Sequence, residues 1–311
     1  MATVFLNGAF TTQDDARISV FDAGLQHGVG LFETMLGGIR DDDDAWVLRL
    51  DEHLGRLIAS ARELGLTDQL RPAPLAEAVR STVARSGLAR ARIRLTITGG
   101  DLNLLVKGKT PASPIQPTIL IVAQPATEYP DQMFDQGVTA VIADMKANPL
   151  DPLAGHKTLN YWGRLRELQT AAARGAGEAL VFQVTNHLAG GCVSNCFVVS
   201  DGVLLTPIAR GEEGGTGDAA TSAPSGPAIP SPVLPGITRG FILDWATRRG
   251  IRLQRRMITI SDVLGADEVF LTNSSWGVLP VVRLEKEAIG TGAVGEISAL
   301  ARDAWLAAAP E

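Results

Sequence analysis

The sequence predicts a two-domain α/β (α+β) chain, and three observations carry that expectation. Its 311 residues, 45% of them hydrophobic and 20% charged, are enough for two cores. Residues 3–50 alternate short apolar runs with turn signals, and 51–65 then switch to helical spacing. After Ile119-Leu120-Ile121-Val122-Ala123, the stretch AQPATEYPDQ reads as a connector, and short strands resume beyond it. We therefore expect a smaller domain over 1–124 and a larger one over 125–311.

Residues 3–50 begin with Thr3-Val4-Phe5-Leu6-Asn7-Gly8, an apolar run closed by a turn pair, and Asp41 to Asp44 reads as a solvated hairpin tip. In 51–65, Leu54, Leu57, Ile58, Ala61 and Leu64 fall on one helical stripe, with Gly65 as the stop. A second helix is expected over 74–86, from Pro74 to the residue before Gly87. Ala91 to Thr98 alternates cleanly, with Ala91, Ile93, Leu95 and Ile97 on one face and Arg92, Arg94, Thr96 and Thr98 on the other. That polar face either meets water or lines a polar cavity. The second half predicts strands over 138–143, 179–184, 196–199, 203–205, 268–272 and 280–284, with helices over 158–174 and 238–249. In 211–236, sixteen of the twenty-six residues are Gly, Pro, Ser or Thr, and no large apolar residue occurs before Ile229. Such a segment buries too little surface to offset ordering, so a flexible insertion is expected.

Composition removes several classes of function. Twenty-eight Lys and Arg against 34 Asp and Glu give a net charge of −6, which argues against nucleic acid as the main partner. No apolar run reaches the ~18–20 residues that span a bilayer, and the N-terminal residues lack a secretory pattern. Two cysteines, Cys192 and Cys196, make no disulfide framework, and four histidines show no metal-ligand spacing. The expectation is a cytoplasmic protein without membrane contact or metal. Both cysteines read as buried small residues.

Four features carry possible chemistry. Lys157, in Gly155-His156-Lys157-Thr158-Leu159-Asn160-Tyr161, precedes a helix and is compatible with a surface residue or a nucleophile. In Leu234-Pro235-Gly236-Ile237-Thr238-Arg239-Gly240, a glycine and a threonine open a helix whose free N–H groups would attract a phosphate or simply be capped. Thr272-Asn273-Ser274-Ser275 puts small hydroxyl residues at a strand end. Arg56 sits beside the apolar stripe, either snorkelling or pointing into a site.

Together and in this order, these features resemble the class IV aminotransferases, the fold-type IV family that uses pyridoxal 5'-phosphate (PLP). The likeness runs from about Leu6 to Leu284. It rests on Gly28-Val29-Gly30-Leu31-Phe32-Glu33-Thr34, His53-Leu54-Gly55-Arg56-Leu57, Lys157-Thr158-Leu159-Asn160-Tyr161, Gly191-Cys192-Val193-Ser194-Asn195-Cys196-Phe197, Leu204-Leu205-Thr206-Pro207, Gly236-Ile237-Thr238-Arg239, and Thr272-Asn273-Ser274 followed by Val278-Leu279-Pro280-Val281. The resemblance implies an N-terminal α/β sandwich and a C-terminal pseudobarrel with the cofactor in the cleft between them. It also implies a homodimer acting on amino acid and 2-oxo acid substrates. Lys157 would form the Schiff base with the cofactor and move the proton, a role suited to a lysine of lowered pKa. Arg56, Ile237, Thr238, Ser274, Ser275 and Asn195 would bind the cofactor.

Two departures bear on the reaction. The family's glutamate facing the pyridine nitrogen falls at Gly190 here, so the carboxylate is missing. Either the ring works without full protonation, another acid fills the gap, or activity is weak or absent. On the substrate side, Gly99 stands where D-specific enzymes and lyases carry an arginine. Ile93-Arg94 followed by Gly100-Asp101 resembles the branched-chain enzymes, so Arg94 would meet a substrate carboxylate. Phe32 replaces the tyrosine of the D-specific enzymes and points the same way. Conversely, Asn273-Ser274-Ser275-Trp276-Gly277-Val278 resembles the lyase branch, and His27 and Val29 depart from the Tyr-Gly-Asp-Gly version. Trp276 is a candidate pocket wall, Trp162 equally a packing residue, and His156 a weak candidate for substrate or partner contact. The main expectation is an aminotransferase for branched-chain or other aliphatic L-amino acids. The alternatives are an aminodeoxychorismate lyase releasing 4-aminobenzoate and pyruvate, and a catalytically weakened PLP-binding homologue.

Overall fold

A computed structural model describes residues 3–40, 44–101, 116–213 and 229–309. Contacts group the chain into two units, one of Met1–Thr127 with His156–Asn160, the other of Glu128–Gly155 with Tyr161–Pro310. The Lys157 segment, placed by the sequence beyond the connector, thus packs with the first unit.

That unit contains β1 (Thr3–Leu6), β2 (Ala9–Thr11), α1 (Ala23–His27), β3 (Gly30–Ile39), β4 (Ala45–Val47), α2 (Leu50–Glu63), α3 (Pro72–Ser86), β5 (Ala91–Thr98) and β6 (Ile119–Pro125). Six strands form one antiparallel sheet in the order β2-β1-β6-β5-β3-β4. The alternation on β5 does what its period demands: Ala91, Ile93, Leu95 and Ile97 are fully buried, while Arg92 and Arg94 on the other face are exposed. Leu31 and Met35 of β3 extend the apolar face, and Leu54, Leu57, Ile58 and Ala61 of α2 cover it with Val79 and Val83 of α3. Each such large side chain contributes about 1.5–3 kcal/mol, so this one interface holds the unit together. Helix α3 starts at Pro72 rather than Pro74 and ends where Gly87 takes a left-handed φ of 65°. Of the expected Asp41–Asp44 tip, 41–43 lie outside the described residues, and Asp44 pairs with Arg40 at the surface.

The second unit comprises α4 (Gln132–Asp135), β7 (Val138–Ala147), α5 (Trp162–Ala173), β8 (Glu178–Gln183), β9 (Leu188–Gly191), β10 (Asn195–Ser200), β11 (Val203–Thr206), α6 (Ile237–Arg248), β12 (Arg252–Arg255), α7 (Ile260–Leu264), β13 (Glu268–Asn273), β14 (Gly277–Leu284), β15 (Glu287–Ala288) and α8 (Glu296–Ala308). Its nine-stranded sheet runs β12-β11-β10-β13-β14-β7-β8-β9, with β15 on β14, and mixes parallel pairs into an antiparallel framework. Strand β9 ends that order yet connects to β10 through Cys192–Ser194 alone. Three residues span only about 10 Å, so the sheet must curl until β9 approaches β10. Strand β8 is buried at every position, its even residues Leu180 and Phe182 in one cluster and its odd residues Ala179 and Val181 in another. A strand covered on both faces reads as a continuous apolar run, which is why the sequence shows it without alternation.

Cys192 and Cys196 are both buried and not joined to each other, and burial, with the charge of Glu178, pushes the Cys192 thiol up to about 12. Of the expected insertion over 211–236, residues 214–228 lie outside the described residues. Among the described residues no helix is long and apolar enough to cross a membrane, and no cluster of His, Cys, Asp and Glu could hold a metal ion.

Candidate active site

In the first unit the site is organised by β3. Lys157 has no regular structure of its own and borrows it from that strand. The Phe32 N–H donates to the Lys157 carbonyl at 3.0 Å, the Leu159 N–H donates to the Gly30 carbonyl at 3.0 Å, and Thr158 bridges to Leu31. The Lys157 Nζ then lies 4.6 Å from the centre of the Phe32 ring, and the Arg94 guanidinium lies 3.8 Å from the same ring. Three of the residues expected from the sequence meet there. Arg94 reaches Phe32 because it faces Thr34 across the β3–β5 ladder, on the polar side of the strand.

Alternate residues of β3 point the other way, and Glu33 is turned inward, fully buried. Arg56 donates from Nε to Glu33 Oε1 at 2.9 Å and from Nη2 to Oε2 at 2.5 Å. His53 Nδ1–H donates to Oε2 at 2.7 Å. Burial alone would raise the Glu33 pKa, but the Arg56 charge, aided by His53, brings it from 4.5 down to about 2. Burial lowers the His53 pKa, which leaves a neutral ring whose proton on Nδ1 is fixed by the carboxylate. Helix α2 supplies His53, Arg56 and Ser60 at spacings of three and four, one helical stripe. Ser60 Oγ meets His156 Nδ1 at 2.9 Å, so the residue beside Lys157 docks on the same stripe. Arg56 is where the sequence put it, beside the apolar stripe, but it points at a carboxylate rather than snorkelling outward.

In the second unit the site is neutral. Helix α6 begins at Gly236 with no side-chain cap. The Asn195 side chain packs against this start: Nδ2 donates to the Leu234 carbonyl at 2.8 Å, and a Cβ at position 236 would lie 1.8 Å from Asn195 Oδ1. Only glycine fits there. The uncapped N–H groups of Ile237 and Thr238 make the positive end of a helix dipole, and Thr238 Oγ1 is buried without a hydrogen-bond partner among the described residues. Thr272 Oγ1, on the residue that pairs with Asn195 across β10 and β13, is buried and unpartnered too. Buried hydroxyls cost free energy when unmet, so two of them beside an open helix start fit an anion with several acceptor oxygens. Beyond Thr272, Asn273 Oδ1 accepts from the N–H groups of Ser275 and Trp276 at 2.9 and 3.0 Å, which shapes the turn that presents Ser274 and Ser275. Trp276 leaves that turn to stack edge-on with Tyr129, centroids 5.8 Å apart, against a core cluster.

Two buried side chains, Arg239 and Glu178, hold this frame. Arg239, one turn into α6, donates to both oxygens of Glu212, to the Pro207 carbonyl and to Thr206 Oγ1, which ties the helix start to the end of β11. Glu178 accepts from the N–H groups of Ala179, Cys192 and Val193 and from Ser194 Oγ, at 3.0–3.3 Å, and so shapes the turn that delivers Asn195. Thr272 opens the hydroxyl-rich strand end that the sequence singles out, whereas no role follows from the sequence for Glu33 or Glu178. Glu33 sits inside a matched block, and an acid in an apolar run is the only signal for Glu178.

At the position of the missing carboxylate, Gly190 has a φ of 144°, and a Cβ there would lie 2.8 Å from the Ser194 carbonyl oxygen. The departure is built into the backbone, because a longer side chain cannot enter without moving the β9–β10 turn.

Comparison with known proteins accords with this arrangement. The family model for amino-transferase class IV matches residues 30–284. A putative branched-chain-amino-acid aminotransferase of Methanocaldococcus jannaschii is 32% identical over 296 residues, covering 95% of this chain and 92% of its own. The crystal structure of the Escherichia coli branched-chain amino acid aminotransferase superposes with a TM-score of 0.83 at 26% identity, covering 98% of this chain and 93% of its own. A second branched-chain amino acid aminotransferase, crystallised in complex with N-(5'-phosphopyridoxyl)-L-glutamate, gives 0.80 at 25% identity, with 98% and 92% covered. With most of its length matched by the family model and by a relative of 32% identity, the chain belongs to the class IV aminotransferases, enzymes that use PLP to pass an amino group between an amino acid and a 2-oxo acid.

Proposed function

We propose that the substrates are aliphatic, branched-chain-like L-amino acids, with Lys157 as the residue that carries the cofactor covalently and moves the proton at the reacting carbon. The observation that carries the cofactor assignment is the buried, unpartnered Thr238 hydroxyl in the first turn of α6. The cofactor supplies an electron-withdrawing ring that stabilises negative charge at the substrate carbon. The residues assigned to the cofactor are Ile237, Thr238, Ser274, Ser275 and Asn195, with Arg56 as a cation for its phosphate. Arg94, fixed over Phe32, takes a substrate carboxylate, while Phe32 and Trp276 offer apolar surface to an aliphatic side chain. The relatives named as branched-chain enzymes support that preference.

A homodimer in the cytoplasm completes the reading. Phe21 and Leu25 in the first unit are 61% and 68% exposed, and Leu150 and Trp162 in the second are 73% and 82% exposed. In a homodimer, a second copy would cover side chains of this kind. Two free, buried cysteines accord with a reducing compartment.

Borohydride reduction of the PLP-loaded protein should fix the label on Lys157, and Lys157→Ala should lose both label and turnover by about 10³-fold or more. A label elsewhere overturns the assignment. Mixing the loaded enzyme with single L-amino acids should bleach its visible band, fastest for aliphatic ones. Pyruvate formed from aminodeoxychorismate without any oxo acid would replace the transfer reading by the lyase.

A further inference from the structure

We propose that Glu33 is a positioning residue for the phosphate grip: it holds the guanidinium of Arg56 in the one orientation that answers the cofactor phosphate. This rests on the reading of Arg56 as a phosphate ligand given above. Both carboxylate oxygens are committed, Oε1 to Arg56 Nε and Oε2 to Arg56 Nη2 and His53 Nδ1. A pairing through Nε and Nη2 along one edge fixes the plane of the guanidinium, where a single bond would leave it free to swing. The carboxylate is itself fixed from the far side by His53, whose ring is 2% exposed and has no room to turn. Carboxylate, imidazole and guanidinium therefore form a rigid wedge rather than a loose surface pair.

The strand that carries the wedge also carries the lysine. Phe32, the residue before Glu33, holds the Lys157 backbone by its N–H and lies beneath the Lys157 ammonium with its ring. Residues 32 and 33 point to opposite faces of β3. One strand thus anchors the segment that carries the amine through Phe32 and orients the phosphate-binding cation through Glu33. A change at Glu33 should be felt at the phosphate end of the cofactor and not at its aldehyde.

Pyridoxal 5'-phosphate and pyridoxal separate the two ends, because pyridoxal has the aldehyde without the phosphate. Each is titrated into protein freed of cofactor, and the fraction bound is read as label fixed on Lys157 by borohydride. For Glu33→Gln we expect the phosphate ester to bind at least about tenfold more weakly, the loss that goes with one charge-assisted hydrogen bond, and pyridoxal to change by less than about threefold. His53→Ala should show the same selectivity at smaller amplitude, and it decides the matter if Glu33→Gln does not fold. Glu33→Gln added to Arg56→Ala should cost nothing beyond Arg56→Ala alone. Equal losses for both aldehydes, or additive losses in the double variant, would show a merely structural ion pair and overturn the proposal. If Arg56→Ala binds both aldehydes as the wild type does, the phosphate reading of Arg56 falls, and this proposal with it.

Discussion

Each unit buries one carboxylate completely among its own candidate residues, and the two are held in opposite ways. Glu33 is answered by a guanidinium and an imidazole N–H, and its pKa lies near 2. Glu178 is answered by four neutral donors, three backbone N–H groups and a hydroxyl, and burial still pushes its pKa up from 4.5. Neutral donors shape a loop without compensating for lost solvation, whereas one fixed cation does both. The first unit therefore keeps its charge pair closed before any ligand arrives. In the second, the turn around Asn195 is shaped by an acid that binds a proton readily.

The largest effect should come from breaking the charged pair. Glu33→Ala leaves the Arg56 guanidinium facing a buried void and should cost about 3–5 kcal/mol at neutral pH, read from denaturant unfolding. Glu178→Gln removes charge but keeps shape, and loses only the mismatch of its amide NH₂ with the Val193 N–H. It should cost about 1–3 kcal/mol. Equal losses in the two variants would erase the distinction between charged and neutral partners.

Titration sharpens the contrast further, because the two acids link to pH with opposite signs. The folded Glu33 pKa lies below its unfolded value, so its stabilisation is full above pH 4.5 and is lost as pH falls toward about 2. The shift corresponds to about 3 kcal/mol at 1.36 kcal/mol per unit. The folded Glu178 pKa lies above its unfolded value, so whatever it contributes is full below pH 4.5 and declines as pH rises. Stability of the wild type minus that of Glu33→Gln should therefore fall on acidification through 4.5. The difference between wild type and Glu178→Gln should instead grow as pH falls toward 4.5 from above, and stay level below it. Curves that bend the same way in both variants would mean that the two folded pKa values shift with the same sign.

The same contrast explains what the sequence made legible. Periodicity exposed α2 and β5 because a helical stripe or a two-residue alternation survives in one dimension, whereas α6 was marked by the glycine and threonine at its start. Arg56, Lys157 and Thr238 could be picked out because each sits beside an element end or an apolar stripe. Glu33 could not, since its partners are 20 and 23 residues away on another element and no local pattern marks them. Strand β9 was invisible because Gly190 and Gly191 carry no side chain to alternate, and their reason for being glycine is a carbonyl and a carboxylate that only the folded turn brings near. Helix α8 begins at Gly295 without a side-chain cap, so the usual start signal is missing.

The smallest predicted effect tests whether the second unit really waits for its ligand. Thr238→Val replaces a buried hydroxyl that has no partner among the described residues by a methyl of similar shape. Without cofactor, the substitution removes an unmet polar group and should leave stability unchanged or raise it by up to about 1 kcal/mol. With cofactor, the same substitution deletes a hydrogen bond to an anion, so PLP should bind about five- to tenfold more weakly. Opposite signs in the two states are what separates a ligand-binding hydroxyl from a structural one, and thermal unfolding with and without PLP reads both at once. A loss of stability in the cofactor-free protein would mean that the hydroxyl is already satisfied within the chain, and that the open helix start at Gly236 is not the anion site.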